Sequence, residues 1–272
     1  MRLSILLRNL NEGDYLLQFL PSLRRQITYS SFEIVVVDNS SNDHSLEVIQ
    51  QYNCKLVRLA RNEFTYGGSL NKGIANCNGD IIFIVSPHIC LKNNDFLQKT
   101  IEYFDSNDKV AGLRFINLGQ PDTSKNCFEE YNILTYIRTL DFFEKNNSNF
   151  IVNHCSAIRK SCWDLVKFDA SLIACEDKKW SLEILQKGFC ILYNIPLVYS
   201  YKKQYNAEDK ATKFARELAA FEQINGIKHR SFHHGFAKAV FFLLKTELWR
   251  LKNKILNFRL VYKKLQQLRQ TQ

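Results

Sequence analysis

The stretch of sequence that decides the fold is FEIVVVDNSSND, residues 32–43. Its four consecutive aliphatic residues, Ile34 to Val37, are typical of a strand buried on both faces of a parallel sheet, where the alternation of polar and apolar residues disappears. Asp38 follows this strand directly, and ligands of open α/β sheets bind beyond the carboxyl ends of the strands. Asp38 is therefore a candidate to contact a base or a ribose. The alternative is that Asp38 and Asp43 only cap the next helix.

The segments around this strand alternate between strand and helix patterns. We predict strands at Leu3–Leu7, Ile34–Val37 and Lys55–Leu59, and helices at Asp14–Leu20 and Ser45–Tyr52. Right-handed crossovers between these strands would build a parallel sheet with helices on its faces. The sequence therefore predicts an α/β fold with a mostly parallel central sheet.

A glycine-rich segment follows the third predicted strand. Four of the ten glycines lie between Gly67 and Gly79, so we expect the backbone to turn tightly there and to pass close to another group. The segment contains neither a Walker phosphate loop, which requires GKS or GKT, nor a Rossmann GxGxxG. Ser69–Asn76 predicts a short helix whose N-terminus could face a diphosphate.

The fourth predicted strand, Ile81–Val85, is followed by Ser86-Pro87-His88. Because ligands gather at the carboxyl ends of neighbouring strands, we expect Asn9, Asp38 and His88 to lie along one edge of the sheet. A lone histidine is usually structural or solvated. Its position after a buried strand nevertheless favours contact with a ligand or a phosphate.

Further along the chain, the patterns predict a helix at Asp95–Asp105, a strand at Val110–Ile116, a loop over 117–126 and a helix around Lys160–Val166. The aromatic-rich segment 128–147 has no clear period. Such aromatic residues belong to a core more often than to a ligand site.

The acidic pair Glu176-Asp177 begins a second candidate site. The residues after it have apolar side chains at helical spacing, and Gly188 is a typical helix C-cap. Acids in the first turn of a helix are favoured by its exposed amide groups, which explains the pair without assigning it any chemistry. That explanation does not exclude catalysis by the same carboxylates.

The composition is that of an ordinary globular protein, with 272 residues, 46% hydrophobic and 24% charged. No apolar run reaches the length of a membrane span, and the first nine residues become polar too soon for a signal peptide. We therefore expect a cytoplasmic protein. The eight cysteines are scattered without a CxxC pair, which argues against a zinc site and favours reduced, mainly buried thiols over a catalytic cysteine.

The formal charge of +10 belongs to the C-terminal part of the chain. Residues 202–272 contain 16 Lys and Arg against 5 Asp and Glu, whereas residues 1–201 are almost neutral. A nucleic-acid binder would not divide its charge in this way, so we predict a catalytic domain at 1–201 and a basic amphipathic region at 202–272. Helices predicted at Asp209–Glu222 and His234–Leu268 suit an anionic membrane surface, and a packed helix or a homodimer contact is the alternative.

The motifs that remain to be explained are RNLNE (8–12), VVVDNSSND (35–43), FTYGGSLNKG (64–73), SPH (86–88), NHCSAIR (153–159), and Trp163, Phe168-Asp169, Glu176-Asp177 and Trp180. In order and spacing they resemble the family-2 glycosyltransferases, which are inverting nucleotide-sugar enzymes with the GT-A fold. The subgroup that they resemble within this family is the bacterial rhamnosyltransferase-like enzymes. The resemblance covers roughly residues 1–200, and each motif is weak by itself.

The residues that the resemblance implies for binding the nucleotide sugar are Arg8, Asn9, Glu12, Asp38, Asn71, Gly73, Ser86 and His88. The Arg8–Glu12 segment and Asp38 would hold the base and the ribose. Asn71 and Gly73 would lie near the sugar diphosphate.

The resemblance also implies the catalytic residues. Asp177 matches the family's base, which takes a proton from the acceptor hydroxyl as that hydroxyl attacks the anomeric carbon. Glu176 would orient or support Asp177. Trp180 would stack on an acceptor sugar or belong to the core.

The cofactor that the resemblance implies is Mg²⁺ or Mn²⁺, which the family binds through an Asp-x-Asp motif. Here Ser86-Pro87-His88 stands at that place, and one imidazole is a poorer ligand for a hard cation than two carboxylates. His88 is the candidate metal ligand, and the metal requirement is left open. Lys202 or Lys203 would instead neutralise the leaving diphosphate.

The function that the resemblance implies is sugar transfer from a nucleotide-sugar donor to a hydroxyl of a glycan or lipid-linked glycan, in bacterial surface polysaccharide synthesis at the inner face of the cytoplasmic membrane. The alternative is a noncatalytic nucleotide-sugar-binding or scaffold protein on a degenerate GT-A fold. A nucleic-acid-binding role is disfavoured, because the cations of the tail are interleaved with large aliphatic residues that suit a bilayer.

Overall fold

The computed structural model describes residues 2–118, 136–138, 150–203 and 205–224. Most of the predicted loop 117–126, most of the aromatic-rich segment 128–147 and the whole predicted helix His234–Leu268 lie outside the described residues.

The described strands belong to one mixed sheet. The strands are β1 (Leu3–Asn9), β2 (Phe32–Asp38), β3 (Lys55–Arg58), β4 (Ile81–Val85), β5 (Ile89–Leu91), β6 (Val110–Asn117), β7 (Tyr136–Arg138), β8 (Cys155–Arg159) and β9 (Cys190–Tyr201). Their order is β3-β2-β1-β4-β8-β6-β9-β5, and β7 pairs with β9.

The helices in this part of the chain are α1 (Gly13–Arg24), α2 (Ser45–Gln51), α3 (Tyr66–Ala75), α4 (Phe96–Asp105), α5 (Lys160–Leu165), α6 (Glu176–Gln186) and α7 (Ala207–Ile224), with one 3₁₀ turn at Arg61–Glu63. Every helix predicted within the described residues is confirmed, with ends that differ by up to four residues. The α/β class is confirmed as well.

The first four strands in the sheet, β3, β2, β1 and β4, are all parallel. Strand β8 then pairs antiparallel with both β4 and β6, and β6 runs parallel to β9. Asn9 is the register partner of Asp38, so the carboxyl ends of β1 and β2 coincide at the edge where the sequence predicts a ligand.

Both faces of the central strands are buried, which explains their unbroken apolar runs. Leu7 and Val36 belong to one core, together with residues from α1, α2 and α4. Leu6 and Val35 belong to the core on the other face, with residues from α3, α5 and α6. Each fully buried aliphatic side chain contributes about 2 kcal/mol of transfer free energy.

Helix α3 starts at Tyr66, three residues before the predicted start at Ser69. Thr65 caps this helix by accepting a hydrogen bond from the Gly68 amide at 3.0 Å. A Cβ on Gly67 would stand 2.4 Å from the Asp169 carbonyl oxygen, so the glycine pair permits a close helix–loop contact inside the first turn. The prediction placed a turn at these glycines because they break helices in most contexts.

The chain divides into two compact units. The first comprises Met1–Ser171 and Glu176–Lys203, and the second comprises Leu172–Cys175 and Gln204–Gln272. Of the second unit, the structure describes Leu172–Cys175 and residues 205–224, which include α7. The predicted boundary after residue 201 lies two residues before the chain leaves the first unit.

The cysteines of the described residues are free thiols. Burial raises the pKa of Cys77 to about 12, although Lys160 and Lys55 act in the opposite direction. Burial likewise raises the pKa of Cys155 above its ordinary value. Both groups are therefore protonated at neutral pH and lack the thiolate that a nucleophile requires.

Candidate active site at the carboxyl edge of the sheet

The ends of β1 and β2 are joined by a buried side-chain network. The Asn9 amide Nδ2 donates to Asp38 Oδ1 at 2.8 Å and to Ser41 Oγ at 3.0 Å. Asp38 Oδ2 accepts the Ser41 amide at 3.0 Å, and Oδ1 accepts the Ser41 hydroxyl at 2.6 Å. Asp38 is only 2% exposed, so these bonds compensate a buried carboxylate.

The two loops that follow these strands also hold each other. Asn11 and Ser40 adopt positive φ angles of 54° and 57°. Asp43 accepts the amide of Gly13 at 2.9 Å and that of Ser45 at 3.0 Å, so it caps the starts of α1 and α2. The capping alternative is therefore correct for Asp43, whereas Asp38 fixes the strand ends and their loop instead.

Glu12 connects three segments of the chain. Its Oε2 lies 2.8 Å from His88 Nδ1, and its Oε1 accepts a hydrogen bond from Lys203 Nζ. The Glu12 side chain is 11% exposed and the His88 side chain 8%. Tyr15 and Tyr201 contact the imidazole edge to face, at centroid distances of 5.8 Å and 4.5 Å.

The pKa of Glu12 reflects this environment. Burial alone would raise it, but the hydrogen bonds and charges of His88 and Lys203 outweigh burial and hold the pKa below its ordinary value. Glu12 is therefore ionised at neutral pH. It is an anion that holds two cationic or proton-donating side chains at the edge of the sheet.

The acidic pair lies at the start of α6, where the sequence predicts it. Glu176 is 5% exposed, and its Oε1 accepts a hydrogen bond from Asn153 Nδ2 at 2.9 Å. Arg8 Nη1 lies 3.9 Å from the same oxygen and also donates to the Tyr66 carbonyl at 3.3 Å. Arg8 therefore connects β1 with both the acidic pair and the first turn of α3.

Asp177 is half-buried, whereas its neighbour Glu176 is buried. Its Oδ2 accepts the Asn153 amide at 3.3 Å, and its Oδ1 accepts the Lys178 amide at 2.8 Å. Asn153 therefore contacts both acids, one through its side chain and one through its backbone. The arrangement holds a partly accessible carboxylate in a fixed orientation.

Ser86 and His154 connect β4 with β8 at the same edge. The Ser86 amide donates to the His154 carbonyl at 3.0 Å. The His154 ring nitrogen Nε2 lies 2.8 Å from the Tyr199 hydroxyl, and the ring meets Tyr201 edge to face at 5.4 Å. Tyr201 therefore lies between the rings of His88 and His154 in the contact network.

Asn71 and Gly73 have packing roles in the structure. Asn71 donates to the Phe168 carbonyl at 2.7 Å and accepts hydrogen bonds from the Phe168 amide and the Trp163 indole. A Cβ on Gly73 would stand 2.5 Å from Leu6 Cδ1 and 2.8 Å from Val37 Cγ2. Both residues fix α3 against its neighbours, so we place them outside the set that contacts a donor.

Trp180 belongs to the core rather than to an acceptor site. It is 1% exposed, its indole donates to the Val166 carbonyl at 2.9 Å, and its ring packs on Phe168 at 5.7 Å. A sugar stacks on an open aromatic face, which this ring does not present. The acceptor role in the prediction is therefore corrected to a core role.

Sequence reasoning gave no role to Asn153 or Ser41, although both contact predicted site residues. Asn153 stands in a quoted motif, but the sequence offers no sign that its amide would meet Glu176, which lies 23 residues later. Ser41 follows Asp38 by three residues, and an Asx-type turn after a strand is a local signal that could have identified it.

The described residues contain no group of three or more His, Cys, Asp and Glu side chains placed to hold a metal ion. No described helix has both the length and the apolar character needed to cross a bilayer.

The fold and this edge of the sheet define a nucleotide-sugar transferase of the GT-A type. The family model "Glycosyl transferase family 2" matches residues 4–165. The chain therefore belongs to the family-2 glycosyltransferases, as its motifs predict.

Two curated relatives span most of the chain. A dolichyl N-acetyl-alpha-D-glucosaminyl phosphate 3-beta-D-2,3-diacetamido-2,3-dideoxy-beta-D-glucuronosyltransferase of Methanococcus voltae is 25% identical over 84% of this chain and 74% of its own length. The O-antigen chain rhamnosyltransferase WbaN of Salmonella anatum is 23% identical over 81% of this chain and 72% of its own.

Solved structures share the fold. The mannosyltransferase PcManGT from Pyrobaculum calidifontis, determined with GDP-Man and Mn²⁺, has a TM-score of 0.60 at 14% identity, over 85% of this chain and 65% of that one. S. aureus TarS 1-349 in complex with UDP has a TM-score of 0.59 at 18% identity, over 86% of this chain and 68% of that one. These similarities confirm the GT-A fold.

Proposed function

We propose that the protein is an inverting glycosyltransferase that moves a sugar from a nucleotide-sugar donor to a hydroxyl of a glycan or lipid-linked glycan in bacterial surface polysaccharide synthesis. The observation that carries the proposal is the half-buried carboxylate of Asp177, held by Asn153 beside the buried Glu176. Family membership supports the reaction class. The names of the relatives, which include an O-antigen rhamnosyltransferase, support the class of acceptor.

The donor is assigned to the ends of β1, β2 and β4. Asp38 Oδ1 already accepts two hydrogen bonds and Oδ2 accepts one. A carboxylate has about four acceptor positions, so one remains to accept a hydrogen bond from a base or a ribose hydroxyl. Arg8, Asn9, Glu12, Ser86 and His88 complete the set of proposed donor-binding residues.

Asp177 acts as the general base in this proposal. The acceptor hydroxyl gives its proton to the Asp177 carboxylate while its oxygen bonds to the anomeric carbon. The bond from that carbon to the diphosphate breaks, and the nucleoside diphosphate leaves with the bonding electrons. A single displacement of this kind inverts the anomeric configuration, and a positioned base contributes about 10²–10⁴-fold to such a rate.

Glu176 acts through position rather than proton transfer. Its side chain is buried and faces Asn153 and Arg8, so it orders the first turn of α6. The same turn places Asp177 at a helix N-terminus, where exposed amides favour a negative charge. The two acids therefore have different proposed roles although they are adjacent in sequence.

A divalent cation, if bound, would compensate the charge of the diphosphate. The residues at the expected place do not fit such an ion. The Glu12 oxygens are bonded to His88 and Lys203, and His88 Nδ1 is bonded to Glu12. A hard cation prefers several oxygen ligands, so no step is derived through a metal, and the metal-ligand role of His88 stays a prediction.

Turnover of nucleotide sugars tests the proposed function. The full-length protein is incubated with a panel of nucleotide sugars and with glycan acceptors, and release of nucleoside diphosphate is measured together with the anomeric configuration of the product. We expect release with one donor and an inverted product. Thermal stabilisation by a donor without any turnover would instead support the noncatalytic scaffold alternative.

We also propose that residues 202–272 hold the protein at the inner face of the cytoplasmic membrane. Their excess of Lys and Arg over Asp and Glu supports this, because each basic residue near an anionic surface contributes about 1 kcal/mol. Co-sedimentation with anionic but not with neutral vesicles is the expected result. Absence of binding at low salt, with a dimer seen by light scattering, would favour the homodimer alternative.

A further inference from the structure

We propose that the diphosphate of the donor is held by the imidazole ring of His88 and the ammonium group of Lys203, so that this glycosyltransferase binds its nucleotide without a divalent cation. The inference rests on the proposed function and deepens it. It assigns to two side chains the charge compensation that an Asp-x-Asp motif and a metal provide elsewhere in the family.

The geometry places both groups on one anchor. Glu12 accepts a hydrogen bond from Lys203 through one carboxylate oxygen, and its other oxygen lies 2.8 Å from His88 Nδ1. An ammonium group carries three donors, and only one of them is needed for Glu12. The carboxylate therefore holds the ammonium group of Lys203 next to the ring of His88.

The His88 ring is held so that one nitrogen remains for a ligand. Nδ1 is bonded to Glu12, whereas Nε2 is buried and has no hydrogen-bond partner among the described residues. Tyr15 and Tyr201 fix the plane of the ring by edge-to-face contacts. A buried, oriented ring nitrogen without a partner is costly unless a ligand satisfies it.

The formal charges support the exchange of a metal for side chains. Two aspartates and a divalent cation sum to zero. Glu12 and Lys203 also sum to zero, so in net charge the cluster is no less favourable to a diphosphate than the metal site it replaces. Fixed donors in a partly buried site also need no reorganisation when the charge of the leaving group develops.

The cluster lies at the strand ends where the sequence resemblance places the metal motif of the family. His88 follows β4, and Glu12 follows β1, which is the neighbour of β4 in the sheet. Lys203 follows β9, and the backbone amide of Lys202 donates to the His88 carbonyl at 2.9 Å. The end of β9 is therefore tied to the segment where a metal motif would stand.

Calorimetric titration of the full-length protein tests the inference. UDP, GDP and dTDP are titrated in excess EDTA and again with Mn²⁺, and inorganic pyrophosphate serves as a probe without a base. We expect one of the nucleotides to bind with dissociation constants that agree within about threefold in the two buffers. Binding that appears only with Mn²⁺ would overturn the inference and leave the proposed function standing.

Two matched lysine variants test whether Lys203, rather than its neighbour Lys202, binds the diphosphate. Lys203→Gln should weaken binding of the nucleotide and of pyrophosphate about tenfold or more, because it removes one charge-assisted hydrogen bond. Lys202→Gln removes the same charge from the adjacent residue, whose ammonium donates to Gln18 and not to Glu12, and should leave the affinity almost unchanged. Equal effects of the two variants would show a diffuse charge contribution and contradict the assignment.

A double variant should convert the cluster into a site that binds the nucleotide only with a metal ion. Ser86→Asp with His88→Asp restores the Asp-x-Asp pattern, so nucleotide binding should be lost in EDTA and recovered with Mn²⁺. A thermal melt checks that this double variant folds, and the Lys203→Gln result decides the question if it does not. If no nucleotide binds the unaltered protein in either buffer, the proposed function itself fails, and the inference fails with it.

Discussion

The two halves of the candidate site use their carboxylates in different ways. At the strand ends, Asp38 and Glu12 are largely buried, and each is held by side chains from other segments. At the start of α6, Glu176 is buried in the same manner, but Asp177 is only half-buried. A buried, fully bonded carboxylate can position a chain, whereas a base must reach its substrate. Within the acidic pair, accessibility therefore separates Asp177, the proposed proton acceptor, from Glu176, the positioning acid.

The largest expected effect comes from removing the proton acceptor. Asp177→Asn should lower the rate of sugar transfer about 10²–10⁴-fold, because the amide cannot take the hydroxyl proton. The affinity for nucleotide, measured by calorimetry, should stay the same, since the donor is assigned to the other half. Glu183→Gln is the matched control, because Glu183 is a surface acid on the same helix that pairs only with Lys179 in the described structure. Near-normal transfer by Asp177→Asn would remove Asp177 as the base.

The connection between the halves gives the next largest effect. Arg8→Met leaves Glu176 buried without its cation, and breaking such a pair costs about 3 kcal/mol of the free energy of unfolding. The double variant Arg8→Met with Glu176→Gln also removes the Glu176 carboxylate, so it should recover part of the lost free energy of unfolding. Urea unfolding of the four proteins in this cycle measures the coupling. Strictly additive losses would show that Arg8 does not compensate Glu176.

The strand-end half could be predicted from the sequence to a large extent, and the other half less so. Asn9, Asp38 and His88 follow buried strands that come in chain order, so parallel pairing alone brings Asn9 and Asp38 together. Asn153 meets Glu176 because β8 enters the sheet antiparallel between β4 and β6, and no local pattern encodes that insertion.

Three residues show why the environment of a side chain could not be predicted from the sequence. Trp180 and Gly73 stand in family motifs, yet one fills a core and the other permits close packing of α3 on the sheet. Lys203 reaches Glu12, 191 residues earlier in the chain, so only the folded structure could pair them. A motif records that a residue type is needed and does not distinguish contact with a substrate from contact with the fold.

Alanine substitutions at Gly73, in α3, and at Gly188, after α6, test how tightly these two helices are packed. Gly73→Ala should cost about 2 kcal/mol, because its Cβ would press on two buried side chains of β1 and β2. Gly188→Ala at the end of α6 meets no atom within 4 Å, but its φ of +83° imposes a strain of about 1 kcal/mol. Thermal melts rank the two variants. A larger loss of stability for Gly188→Ala than for Gly73→Ala would mean that the packing between α3 and the sheet adapts to an added methyl group more easily than these distances indicate.

The smallest expected effect concerns the contact that holds α6 to the loop before it. Burial would raise the pKa of Asp169, but hydrogen bonds from Lys179 and Ser171 outweigh burial and lower the pKa to about 2. Because this value lies below the ordinary 3.8, the carboxylate stabilises the fold above that pH, and the contribution is lost as the pH falls toward 2.

Asp169→Asn should therefore cost about 1 kcal/mol at neutral pH, after allowance for the partial exposure of both partners, and progressively less in acid. Urea unfolding from about pH 7 to about pH 3 measures the trend. Asp164→Asn is the control, because that acid forms an exposed pair with Lys167 and should change stability by less than about 0.5 kcal/mol. A loss that did not shrink in acid would show that Asp169 stabilises the fold through packing rather than through its charge.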